Sequence, residues 1–151
     1  MTNRISIRLA AVNEHAALDA LQRHAALANE GDREILLENS DAIELPVAQI
    51  LAQRVFVAER DGAILGFAAL AQRFDGEIEI DGLFVEPGAW RQGIGRLLVD
   101  RSAQFASTHG SNWLHVVGNP HAAGFYAACG FEKIGALETR FGVGFFMKKR
   151  L

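Results

Sequence analysis

One cysteine, one tyrosine and three prolines occur in these 151 residues, and no long apolar run occurs at all. The lone Cys129 rules out an internal disulfide and suits a reducing compartment. No apolar stretch approaches the roughly eighteen residues of a membrane span. The first residues, Met1-Thr2-Asn3-Arg4, lead into alternating residues rather than a signal core, so a cytoplasmic protein is expected. A basic excess is also missing. Fifteen Lys and Arg stand against eighteen Asp and Glu, a net charge of −3, which gives no general attraction to nucleic acid. None of the five histidines has metal-ligand spacing with another His, Cys or acid, so no metal is expected. Half of the residues are apolar, enough for one well-filled domain over residues 1–151.

The stretch from Leu83 to Val99 organises what is present. It reads as an apolar strand, a turn at Pro87-Gly88, a loop bracketed by Gly93 and Gly95, and a helix. Glycines there let backbone approach a ligand without an intervening Cβ. The helix start turns unpaired N–H groups and the positive end of its dipole into the loop, and Arg91 and Arg96 flank it. Such a loop suits a phosphate or pyrophosphate. A dinucleotide fingerprint would need glycine where Leu98 stands, and a Walker A loop would need Lys-Ser/Thr where Arg96-Leu97 stand.

Ahead of this loop, Ile5, Ile7 and Leu9 alternate as a first strand, and Asn13 is placed to cap a helix with Leu18, Leu21 and Ala25 inward. Residues 30–44 are acidic and in part helical in pattern, and Pro46 opens a short helix over 47–53. Asp61-Gly62 and Asp75-Gly76 divide three strands (55–60, 64–70 and 77–85) into an antiparallel meander. The helix after the loop runs to about Thr108, with Leu97, Leu98 and Phe105 inward. Residues 113–117 form a buried strand reached through that helix, hence parallel to the fourth. A short helix from Asn119 to Gly130 and strands over 131–134 and 145–149, joined by a loop around 141–144, complete the chain.

Val85-Glu86-Pro87 followed by Gly93-x-Gly95 resembles the acyl-CoA signature Q/R-x-x-G-x-G/A of the GNAT superfamily of N-acetyltransferases, with Trp90 where that family has Gln or Arg. A second stretch, Asn119 to Phe131, resembles the family's N-x-x-A-x-x-F-Y-x-x-x-G-F element. The resemblance covers residues 54–149. It implies an α/β fold of order β-α-α-β-β-β-α-β-α-β-β, a mixed and mostly antiparallel sheet flanked by helices. It also implies acetyl-CoA as co-substrate, with Arg91, Gln92, Gly93, Ile94, Gly95 and Arg96 around the pyrophosphate. Arg91 and Gln92 would supply the polar group that Trp90 does not offer. Asn119 would hydrogen-bond the pantetheine arm, with capping of the Pro120 helix as an alternative or joint role; Phe125 would also bind the cofactor, and a backbone N–H of Phe84 or Val85 would polarise the thioester carbonyl. Tyr126 would protonate the leaving thiolate.

The other reactant sets a requirement of its own. A lysine-like amine has a pKa of about 10.4, so its neutral form lies roughly 4–5 kcal/mol uphill at pH 7, and a base should stand near it. Glu77, Glu79 and Asp81 alternate on the fourth strand and share a face unless a bulge intervenes. The resemblance implies the ranking: Glu79 has the spacing ahead of the loop seen for the general base in some GNAT members and stands first, with Asp81 second and Glu77 a surface residue; a solvated strand face is the competing account. His115 is a candidate for a proton path and His121 for a cover over the cofactor, while His15, His24 and His109 read as surface residues. The acidic patches favour a small cationic amine as acceptor, with a protein amine or a non-catalytic acyl-CoA-binding module as alternatives and a homodimer left open. No nucleic-acid or membrane partner is expected.

Overall fold

The computed structural model describes residues 4–28, 45–139 and 142–151. The acidic segment 30–44 and residues 140–141 of the expected last loop lie outside the described residues. Seven strands form one sheet: β1 (Ser6–Leu9), β2 (Val55–Arg60), β3 (Ala63–Gln72), β4 (Ile78–Val85), β5 (Trp113–Gly118), β6 (Phe131–Thr139) and β7 (Gly142–Arg150). Their spatial order is β1-β2-β3-β4-β5-β7-β6. Every neighbouring pair is antiparallel except β4 with β5, which is parallel. Among the described residues the α-helices are α1 (His15–Leu27), α2 (Val47–Leu51), α3 (Ile94–Thr108) and α4 (Ala123–Ala128). The mixed sheet and the element order are those expected.

Alternation along the strands divides the apolar side chains between two faces. On one face Phe56, Leu70, Ile78, Ile80, Leu114, Val116 and Met147 pack with Ile94, Leu98 and Val99 of α3 and Tyr126 of α4. On the other, Val55, Val57, Phe67 and Ala69 pack with Leu18 and Leu21 of α1 and Ile50 of α2. The tight β2–β3 turn has left-handed backbone at both Asp61 (φ 52) and Gly62 (φ 81), the twist that a two-residue hairpin needs.

Local details differ from expectation for identifiable reasons. Asn13 does not cap α1. It lies inside a short 3-10 turn over Val12–Glu14, and the Glu14 carboxylate instead accepts the Ala11 N–H at 2.8 Å. Leu97 points outward at 39% exposure, because the buried stripe of α3 starts at Ile94 and returns at Leu98, Val99, Ser102 and Ala106. The short helix from Pro46 ends at Leu51. β6 and β7 run longer than expected, pairing from Phe131↔Lys149 to Thr139↔Gly142. His15 reaches the Leu45 carbonyl at 2.6 Å rather than standing free. His24 and His109 are exposed, as expected; His24 meets Glu86 at 3.0 Å, and His109 stacks on Phe105.

Glu77 is not a surface residue. It accepts the backbone N–H groups of Asn112 and Trp113, each at 2.9 Å, and pairs with His115 Nε2 at 3.2 Å. Beside it Ser111 Oγ accepts the Ile78 N–H at 3.0 Å and donates to the Trp113 carbonyl at 2.7 Å. The two side chains clamp the start of β4 to the start of β5. Burial works to raise the Glu77 pKa, but the two backbone donors and His115 outweigh it and hold it low. A depressed carboxylate pKa adds stability that is present above the unfolded value and is lost as pH falls through the folded one. Glu77→Ala should therefore cost about 1–3 kcal/mol near neutral pH. In urea unfolding followed by circular dichroism, the gap between variant and wild type should narrow below about pH 4.

Candidate active site

Parallel pairing of β4 with β5 covers only Ile78↔Leu114, Glu79↔His115 and Ile80↔Val116. β4 continues to Val85 and β5 to Gly118 without further pairing between them, so the strands part. At the same level β4 carries a bulge: Ala69 of β3 opposes Gly82 and Leu70 opposes Ile80, leaving Asp81 as the extra residue. A bulge bends its strand and strengthens the local twist, which is what divergence from β5 requires.

A cleft of about 710 Å3 opens where the strands diverge. Leu83 and Val85 of β4 form one wall; Ala122, Phe125, Tyr126 and Cys129, in and around α4, form the other. Arg91, Gly93, Ile94, Gly95 and Arg96 form its polar end, and Asn119 and His121 lie along it. Eight of the ten cofactor-site residues expected from sequence thus meet here, joined by Tyr126.

The loop is shaped by two left-handed residues, Arg91 (φ 64) and Gly93 (φ 81). Gly93 caps α3 without a side-chain acceptor, and no acid occupies the first turn. The opening N–H groups of this 15-residue helix therefore keep their capacity for an anion, with the helix dipole behind them. Trp90 supplies its own anchor, its indole N–H donating to the Val85 carbonyl at 2.8 Å. This ties the loop to the end of β4 through the ring that stands where the family has Gln or Arg.

Gln92 lies outside the cleft, and Phe84, expected to act through its backbone N–H, has its side chain in the core on the other face. Gln92 turns away and accepts from Arg60 Nη1 at 3.1 Å. The Phe84 side chain points to the α1 face, its ring 5.5 Å from that of Phe67, because alternation after the bulge sends Leu83 and Val85 to the cleft side. Gly95 also differs in detail. A Cβ there would meet the Phe125 ring at 3.0 Å, so the space beside this glycine is filled by α4.

α4 is held at both ends. Asn119 Oδ1 accepts the Ala122 N–H at 2.9 Å, capping the short turn that leads into it. At its C-terminal end Arg96 donates to the Ala128 carbonyl at 3.2 Å and Lys149 Nζ to the Cys129 carbonyl at 2.6 Å, cations at the negative end of the helix. Tyr126 is 7% exposed and lies between Phe125 and Phe131. Burial, together with the adjacent Cys129, pushes its phenol well above the ordinary range, so it stays a neutral O–H donor. Burial likewise pushes the Cys129 thiol up, away from the thiolate a nucleophile needs.

The carboxylates stand on the opposite face of β4. Glu79 is half-buried beside His115 and has no hydrogen-bond partner among the described residues. Burial and then Asp81 raise its pKa, against the opposing pull of Arg73 and His115. Asp81 is exposed and accepts from Gln49 Nε2 of α2 at 3.1 Å. Sequence reasoning missed the Glu77 clamp, and also Leu83 and Ala122 as cleft residues; the register of β4 was the only signal for Leu83.

A family model described as the acetyltransferase (GNAT) family matches residues 16–131. Among solved structures, the chain is similar to the PaiA N-acetyltransferase of Thermoplasma acidophilum in complex with coenzyme A. The TM-score is 0.77 at 19% identity, over 98% of this chain and 99% of that one. It is also similar to a ribosomal-protein-alanine N-acetyltransferase from Brucella melitensis, with a TM-score of 0.73 at 27% identity over 97% and 99% of the two chains. A third, N-acetylglutamate synthase from Neisseria gonorrhoeae with coenzyme A and N-acetyl-glutamate, gives a TM-score of 0.73 at 25% identity, over all of this chain and 36% of that one. The comparison with curated proteins gives no match.

Because Tyr126 is the only tyrosine, its ionisation can be followed in isolation. A free phenol titrates at about pH 10. Near-ultraviolet tyrosinate absorbance should stay flat through that pH and rise only when alkali unfolds the protein. A rise at about pH 10 with intact circular dichroism would contradict the buried, neutral phenol.

Proposed function

The chain belongs to the acetyltransferase (GNAT) family, and from that membership we propose that it moves an acetyl group from acetyl-CoA to a primary amine by direct attack in a ternary complex. The amine is that of a small cationic metabolite. The observation that carries the reading is the convergence of two sequence-distant stretches, 91–96 and 119–129, on one cleft. One end of that cleft supplies helix N–H groups and two arginines for a pyrophosphate. The other supplies apolar walls and a neutral phenol for a thioester.

In this reading the amine approaches from the α1 and α2 face and meets the carbonyl where β4 and β5 diverge. Its nitrogen bonds to the carbonyl carbon as the carbon–sulfur bond breaks. Glu79, through water, takes one ammonium proton and passes it to solvent. The second proton leaves nitrogen to water as the amide forms, sulfur receives a proton from Tyr126, and the tyrosinate regains one from solvent. A raised carboxyl pKa suits Glu79 to this task, because a base works best near the operating pH. Asp81, exposed on the same face, attracts the cation. A backbone N–H at the end of β4, at Phe84 or Val85, polarises the carbonyl. The protein acts in the cytoplasm.

The direct test is thiol release from acetyl-CoA against a panel containing spermidine, lysine, an aminoglycoside and a peptide with a free N-terminus. Release with a small amine supports the proposal. Release with the peptide alone moves the acceptor to a protein, and acetyl-CoA binding without turnover on any amine overturns catalysis in favour of a sensor. Tyr126→Phe should lower kcat by about 10- to 100-fold while leaving acetyl-CoA affinity, measured by calorimetry, within about twofold.

The base has its own signature. Wild-type kcat/KM should fall as pH drops through the raised Glu79 pKa, where the carboxylate gains a proton and ceases to accept one. Glu79→Gln should abolish that acid limb and lower kcat/KM most near neutral pH, by about 10²-fold. The defect should shrink as pH rises toward the amine's own pKa. An equal, pH-independent loss in Glu79→Gln and Asp81→Asn would identify electrostatic binding instead.

A further inference from the structure

Gly118 ends β5 and Gly95 is the second residue of α3. Neither has the positive φ that makes glycine necessary at Gly62 or Gly93. Glycine weakens helices and strands relative to alanine, so bare backbone at these two points has a spatial use. A Cβ on Gly118 would stand 3.2 Å from both Cδ2 and Cε2 of Tyr126. One on Gly95 would stand 3.0 and 3.1 Å from Cζ and Cε1 of Phe125. These two aromatic residues are neighbours in α4, with ring centroids 5.2 Å apart, edge to face. Phe131 closes the other side of Tyr126 at 5.3 Å.

We infer that Gly118, and through Phe125 also Gly95, are positioning residues that set where the Tyr126 hydroxyl stands in the cleft. Both glycines let a ring lie directly on backbone, one on β5 and one on α3, and backbone does not yield as a flexible side chain does. The ring pair is thereby gauged against two rigid elements, α3, which lines the cleft, and β5, which leads into it at Asn119. Tyr126 cannot move toward β5, and Phe125 and Phe131 limit it elsewhere. Gly95 gains a second role, coupling the anion loop to the proton donor. The inference rests on the reading of Tyr126 as the donor to sulfur.

Gly118→Ala should push the ring by a few tenths of an ångström. With about a 10²-fold drop per ångström of misplacement, kcat should fall by about three- to tenfold with the KM for acetyl-CoA unchanged. The assay is thiol release with spermidine, or with whichever amine of the panel reacts fastest. Tyr126→Phe keeps the ring and removes the hydroxyl, so adding Gly118→Ala to it should cost no further kcat. Tyrosine labelled with carbon-13 at Cζ alone gives one resonance in this protein, and that resonance should shift in Gly118→Ala. Should Gly118→Ala not fold, Gly95→Ala, which also alters the anion loop, makes the test through Phe125 on the tyrosine resonance and on the loss of kcat with and without Tyr126→Phe, with no condition on KM.

An unmoved resonance with wild-type kcat overturns the inference. So does a kcat loss that recurs undiminished in the Tyr126→Phe background, since that is general damage. Low activity in Tyr126→Phe beside full activity in Gly118→Ala defeats the positioning role alone. Full activity in Tyr126→Phe defeats the proton-donor reading, and the positioning role with it.

Discussion

Parallel pairing between β4 and β5 lasts three residues, and the rest of the site depends on its ending there. Below Ile80↔Val116 the strands are held together by their ladder and by the Glu77 and Ser111 side chains. Above it Asp81 is the surplus residue of a bulge. A strand that twists away from its neighbour leaves backbone edges and an apolar opening that no side chain of a continuous sheet would leave. The cleft is that opening. Its depth, its two walls and the proximity of the loop after β4 to the helix after β5 all follow from where the ladder stops.

The same divergence assigns the chemistry to two faces of one sheet. Ile78 and Ile80 face α3 and share its core with Tyr126. Glu79 faces the other way, and Asp81 reaches α2 on that side. The groups proposed as proton acceptor and proton donor are thereby kept apart in distinct environments. One is a half-buried carboxyl whose pKa is raised, the other a phenol whose burial keeps it protonated. Two titratable groups whose surroundings move them in ways suited to opposite roles are a physical argument for acid–base work. The His115–Glu77 pair beside them belongs to the clamp.

α4 has six residues, too few to be stable through its own hydrogen bonds. Its position comes from outside: the Asn119 cap, Arg96 and Lys149 on its last carbonyls, and two glycine surfaces under its aromatic rings. A short helix fixed by so many independent contacts can hold a side chain to the tolerance that proton transfer demands. The cost is that changes at several remote positions converge on Tyr126.

Periodicity, turn residues and two motifs were enough to read the order of elements, the antiparallel meander and the glycine loop that opens α3, because each is encoded within a few neighbouring residues. The Asp61-Gly62 turn and the Gly93 start of α3 are local in this sense, left-handed backbone written directly in residue type. Loop and Tyr126 could be assigned to one site only through the family resemblance, since nothing local brings residue 93 to residue 126. What the tertiary structure decided was register and contact. Whether Asp81 alternates or bulges depends on how β3 pairs, so the directions of Leu83, Phe84 and Val85 were not legible along the chain. Glu77 looked like one more strand carboxylate, and only the arrival of Asn112, Trp113 and His115 from 35 or more residues away turned it inward. Gly95 looked like part of a ligand loop, and the ring beside it comes from another helix. Local residue types determine which elements form; the match of distant surfaces determines which side chains meet, and sequence spacing does not carry that information.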